Sequence, residues 1–154
     1  MKRKIEPGKG EPYFRLPYGE TIAVLFKLPD YSSPYTLKVV SLCDCNGFKK
    51  RIFVPSGDFL NAEFKQTHRF EENELKTNEQ GFTKAYNFEA AIQMNDERKT
   101  DRYLLLYTRA DLIGKMADKL NIPALGGVLF GGAYPVNRSA HGTLELEAVV
   151  EKKK

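Results

Sequence analysis

Tryptophan is absent from the 154 residues, and histidine and cysteine occur only twice each. Without an indole the chain lacks the best stacking platform for a sugar ring, although ten Phe and eight Tyr remain. His68 and His141, with Cys43 and Cys45, show none of the paired spacing that a four-ligand zinc site requires, so neither a metal nor another cofactor is expected. Long apolar runs are missing too. The longest, "TIAVLF", falls far short of the roughly 20 residues of a membrane-spanning helix, so no transmembrane segment is expected. "KRK" near the start is followed by "IEPGKGEP", which has no apolar stretch of the kind an export signal needs.

Positive charge is scarce where nucleic acid would need it. The formal net charge is +4. Residues 1–10 set four basic side chains against Glu6, and residues 151–154 set three lysines against Glu151, which leaves the body slightly negative. A groove for phosphates needs cations on the folded surface, interleaved with aromatics, so nucleic acid is not an expected partner. The ends read as a basic linker over residues 1–11 and a basic tail over 151–154, flanking a single domain over 12–150.

Signs of catalysis are also lacking. Neither "QTHRFEEN" nor "RSAHG" has the histidine spacing of a metal-hydrolase helix, no serine stands in a nucleophile elbow, and "GGVLFGGA" lacks the lysine and hydroxyl of a phosphate loop. The chain is therefore read as non-catalytic. The acidic stretch 65–80, with Glu71, Glu72, Glu74 and Glu79, lacks the ligand spacing of a calcium loop and reads as a solvated loop or hairpin tip.

Alternation is what the sequence has in abundance. "TIAVLFKL" (21–28) and "YTLKVVSL" (35–42) are rich in β-branched and aromatic residues and read as neighbouring antiparallel strands around a "PDYSSP" turn. "KRIFVPS" (50–56) follows the Asn46-Gly47 turn, and "DFLNAEF" (58–64) suits a strand or a helical turn. "YNFEAAIQM" sends Tyr86, Phe88, Ala90, Ile92 and Met94 to one face, while "RYLLLYT" (102–108) is apolar on both sides, as in a central strand. "GTLELEAVV" turns Leu144, Leu146, Ala148 and Val150 inward. One helix is predicted over "TRADLIGKMADKLNIP", capped by Thr108, with Leu112, Ile113, Met116 and Leu120 on one face and Pro123 at its end. The pattern predicts a mainly β protein: an antiparallel β-sandwich of about six to eight strands with one short α-helix.

Before the last strand stands "GGVLFGGAYPVNRSAHG", residues 126–142, where ligand-binding candidates concentrate. Tyr134, Arg138 and His141 combine an aromatic face with hydrogen-bonding side chains, as a sugar site requires. The structural role comes ahead of ligand binding: Arg138 suits the buried carbonyls of its own loop, and His141 suits a half-exposed turn at a strand start. Val128, Leu129 and Phe130 between glycines fit a partner's pocket or a plug in the core. Cys43 and Cys45, two residues apart in "LCDCNGF", fit either a small-loop disulfide or two unlinked thiols.

The order of features resembles the periplasmic maltose operon proteins of the MalM type. The likeness runs through "YFRLPYGE", "IFVPSGDF", "RYLLLYTRADLIGKM" and "YPVNRSAHGTLELEAV", and spans residues 12–150; the "CDC" stretch lies outside the family's pattern. The resemblance implies a periplasmic envelope protein, accessory to carbohydrate (maltodextrin) uptake or binding, with no catalytic residues to carry over. It implies maltodextrin or another glycan as ligand, and an oxidising compartment around Cys43 and Cys45. The alternative is a protein-protein interaction module docked on an outer-membrane protein or lipoprotein, or a structural part of such an assembly.

Overall fold

A computed structural model describes residues 2–5, 13–45, 50–78, 86–122 and 132–150. In chain order the strands are β1 (Lys2–Ile5), β2 (Tyr13–Leu16), β3 (Gly19–Lys27), β4 (Tyr35–Leu42), β5 (Lys50–Ile52), β6 (Ser56–Leu60) and β7 (Gln66–Phe70). They continue as β8 (Lys76–Asn78), β9 (Asn87–Met94), β10 (Tyr103–Tyr107), β11 (Met116–Ile122), β12 (Gly132–Arg138) and β13 (Gly142–Val150). Two five-stranded antiparallel sheets, ordered β1-β13-β4-β9-β8 and β2-β3-β10-β6-β7, enclose the main core. A third sheet, β11-β12-β5, contains one parallel pair, β12 with β5.

The core follows from alternation. From one sheet Leu37 and Val39 of β4, Ala90, Ile92 and Met94 of β9, and Leu144 and Leu146 of β13 point inward. They meet Ile22, Val24 and Phe26 of β3, Phe59 of β6, Phe70 of β7, and Leu104 and Leu106 of β10. Burying a Leu or Phe side chain stabilises by about 1.5–3 kcal/mol, so these two faces dominate folding. A smaller cluster of Ile52, Val54, Tyr86, Phe88 and Val136 joins the third sheet to the sandwich. Among the described residues no helix is long and apolar enough to cross a membrane.

Several expectations are corrected. β3 and β4 are not neighbours: β3 pairs with β2 and β10, while β4 pairs with β13 and β9, so residues 28–34 carry the chain from one sheet to the other. Both strands bury an alternating face, and alternation is silent about which strand lies alongside. Stretch 65–80 is more than a loop, since it contains β7, a 3-10 turn at Glu72–Glu74 and β8, with Phe70 driven into the core. The inward set of β13 is buried only in its first half; Val150 is 61% exposed.

The predicted helix over 108–123 is overturned. The chain makes a single 3-10 turn, Ala110–Leu112, and then enters β11. Thr108 caps nothing; its hydroxyl donates to the Val54 carbonyl, 3.1 Å away. Gly114 takes φ +82, which ends any helix there, and hydrogen bonds between Gly114 N–H and Arg138 O and between Arg138 N–H and Lys115 O (2.8 Å each) start the pairing with β12. Ile113 and Met116, placed on the supposed buried stripe, are 39% and 50% exposed. A partner strand supplied the hydrogen bonds that a helix would have made internally, and tertiary pairing overrode propensity.

Candidate functional site

The end of β12 and the start of β13 hold the described part of the glycine-rich stretch. Gly142 is needed there, because a Cβ at this position would meet Phe53 Cβ at 2.9 Å. Tyr134 lies within β12, its backbone opposite Leu120 of β11. Arg138 is committed internally: Nε and Nη2 donate to the Glu72 carboxylate at 3.3 and 3.2 Å, and Nη1 donates to the Met116 carbonyl. This fork ties the 3-10 turn at Glu72 to the β11 bulge between Met116 and Asp118. Only 16% of its side chain is exposed. A guanidinium so engaged is a structural clamp.

His141 faces another way. Its Nε2 lies 3.5 Å from Arg51 Nη1, and its Nδ1 lies 3.1 Å from the hydroxyl of buried Ser139. Among the described residues Arg138 and His141 thus engage different side-chain partners. Val128, Leu129 and Phe130 lie outside the described residues. Cys43 and Cys45 form a disulfide with Cα atoms 5.2 Å apart. Among the described residues no group of three His, Cys, Asp or Glu is arranged to hold a metal ion. An open depression on β8 and β9, lined by Glu74, Lys76, Thr77, Glu89 and Ala91, presents no aromatic ring.

A different surface, at the tip of the β6–β7 hairpin, has the character of a binding platform. Asn61 organises the tip: its Oδ1 accepts from the N–H of Glu63 and of Lys65, both at 3.0 Å, and its backbone closes the turn with Phe64 and Lys65. Phe64 is the one non-glycine residue with positive φ, at 58°, among those described. A bulky L-residue there costs about 1–2 kcal/mol, and glycine or asparagine is the usual occupant. The residue is nonetheless 58% exposed, its ring stacked on Tyr103 of β10 with centroids 4.7 Å apart and planes 17° from parallel. Such a stack contributes about 0.5–1.5 kcal/mol. That offsets much of the backbone penalty while leaving one aromatic face to solvent. Exposed Lys27, directly opposite Tyr103, and exposed Gln66, opposite Leu60 on the far side of β6, are polar side chains on the strands around it.

Beneath the tip lies a buried polar knot. Asp101, whose side chain is fully buried, accepts from the Thr67 hydroxyl and stands 3.3 Å from His68 Nδ1 and 3.7 Å from Arg98 Nη1. The Arg98 guanidinium lies 4.6 Å above the Phe59 ring. Arg102 N–H donates to Leu60 O at 2.8 Å, and Leu28 N–H to Arg102 O at 2.9 Å. The chain leading into Tyr103 is therefore pinned to both neighbouring strands. Burial, followed by the Asp101 charge, pushes the Tyr35 phenol up. At the far end of the same sheet, Asp58 accepts from Arg69 Nε at 2.9 Å and from the Tyr107 hydroxyl at 3.4 Å. Burial, followed by the Asp58 charge, pushes Tyr107 up to about 12, so the phenol stays neutral and acts as a donor.

Sequence reasoning passed over Phe64 because its window suits a strand or a helical turn, and nothing local marks left-handed backbone. The available signal is the Asn61 to Lys65 turn with no glycine to take the strained position. Comparison with family models, curated proteins and solved structures yields no match.

Proposed function

We propose that this chain is a non-catalytic periplasmic binding protein of the bacterial envelope, accessory to carbohydrate uptake, with maltodextrin or a related glycan as its ligand. One observation carries the reading: an exposed Phe64 ring, held in left-handed backbone and stacked on Tyr103. The apolar face of a pyranose ring packs on such a surface, and Lys27 and Gln66 offer hydrogen bonds to its hydroxyls. The MalM-type resemblance supports glucan chemistry and the periplasm, and the Cys43–Cys45 disulfide supports an oxidising compartment. Within this reading the platform takes over the role expected of Tyr134, Arg138 and His141.

Titration calorimetry with maltodextrins at millimolar concentration tests the proposal. Heat of binding is expected from the native chain and none from Phe64→Gly, whose strand circular dichroism stays unchanged. An absence of heat from the native, folded chain would refute it.

A second reading, an interaction module docking on an outer-membrane protein or lipoprotein, draws support from Leu25. This side chain is 40% exposed on the outer face of β3, beside Leu105. Apolar side chains grouped on a sheet face suit a protein partner. Leu25→Ser would then abolish association with that partner while leaving sugar heats intact.

A further inference from the structure

We propose that the Cys43–Cys45 disulfide is an exchange-active redox site, which accepts two electrons from a dithiol donor while the sandwich stays folded. The inference stands on the disulfide and its surroundings and does not rest on the sugar reading.

The bridge encloses only Asp44, which is exposed, and joins no two elements of the fold. Loop-closure entropy grows with the length enclosed, so a ring around one residue stabilises a fold least. The segment is already held by other means. Asp44 and Arg51 exchange both backbone hydrogen bonds, at 2.8 and 3.1 Å, and Cys43 N–H donates to Tyr86 O at 3.0 Å. Opening the bridge therefore leaves the strand attached. Both cysteines are only half-buried, at the margin of the smaller hydrophobic cluster rather than inside a core. The Lys50 ammonium donates to the Cys45 carbonyl, which places a cation on the backbone of Cys45 and favours a leaving thiolate on this residue over one on Cys43.

The exchange follows from that asymmetry. A donor thiolate attacks Cys43 Sγ, and the electron pair of the sulfur–sulfur bond departs on Cys45 Sγ as a thiolate. The donor's second thiolate then attacks the donor sulfur of the mixed disulfide and expels the Cys43 thiolate. The donor ends as a disulfide, and the two protons it lost convert Cys43 and Cys45 to thiols. Two electrons pass and no other reactant is needed.

The test treats the full native chain with dithiothreitol, quenches aliquots in acid, alkylates with N-ethylmaleimide and reads mass, with circular dichroism followed in parallel. Two adducts are expected at a rate within thirtyfold of that of the urea-unfolded chain, with the strand signal unchanged. Lys50→Gln is expected to slow the native reaction about threefold without altering the unfolded one. Native reduction more than thirtyfold slower than in urea, or reduction that proceeds only as the strand signal is lost, would overturn the proposal. Equal native rates for Lys50→Gln and the parent would overturn the assignment of Cys45 as the leaving sulfur.

Discussion

The turn from β12 to β13 and the tip of the β6–β7 hairpin are both surface connections, yet they dispose of their side chains in opposite ways. At the former, Arg138 and His141 carry the chemistry of recognition but direct it at the protein: toward Glu72 and Met116 in one case, Ser139 and Arg51 in the other. At the latter an apolar ring with no polar atom is held toward solvent at a conformational cost. Side-chain capability is thus a poor guide to a site when the surrounding backbone has unmet needs. An arginine set between a carboxylate and a backbone carbonyl is drawn into hydrogen-bonding both, because a charge-assisted fork to a carboxylate is worth more than the bonds water would supply. A phenylalanine has no such use and stays where the turn sets it.

The comparison breaks most visibly if its structural half is removed. Asp101→Ala removes the buried carboxylate that accepts from Thr67 and pairs with His68 and Arg98, and is expected to destabilise the fold by about 3 kcal/mol. Urea midpoints would show it, and a loss under 1 kcal/mol would mean the knot is ornamental. Arg138→Ala comes next, at about 2 kcal/mol, since the carboxylate of Glu72 and the Met116 carbonyl lose their donor. Sugar heats should survive in this variant wherever it is folded; their disappearance would return the site to the β12–β13 turn.

Alkaline pH sharpens the contrast from the far end of the same sheet. Tyr107 titrates at about 12 in the fold and near 10 unfolded, so its contribution is complete below pH 10 and is lost as pH rises toward 12. About 2 kcal/mol should vanish across that window in the native chain, relative to Tyr107→Phe, as followed by urea unfolding at stepped pH. The smallest effect on stability belongs to Phe64→Gly. Relief of left-handed strain, loss of the stack and the added freedom of glycine nearly cancel, for a net change within about 1 kcal/mol. That near-neutral stability with abolished sugar heat is the signature of a residue kept for binding; a loss above 2 kcal/mol would mark Phe64 as structural.

How far the residues alone could be read varies by element. β9 and the first half of β13 were legible because a two-residue period admits one buried face, and the core cluster consists of the residues that period selects. β11 was illegible: Leu112, Ile113, Met116 and Leu120 have helical spacing, but β12 captured the backbone of Met116 and Leu120, and Ile113 and Met116 ended up exposed. β7 was hidden by its own polarity, with Phe70 as its one core residue. The platform went unseen because its two rings are 39 positions apart in sequence and meet only once β6 and β10 are paired.

By itself, then, the sequence determined the β architecture and the composition of its interior, since alternation and apolar content act over a few residues and need no distant partner. The tertiary structure alone decided which strands became neighbours, that residues 116–122 extend as a strand, and which polar side chains were consumed. Those outcomes depend on hydrogen-bond partners and close approaches that exist only after remote segments have met.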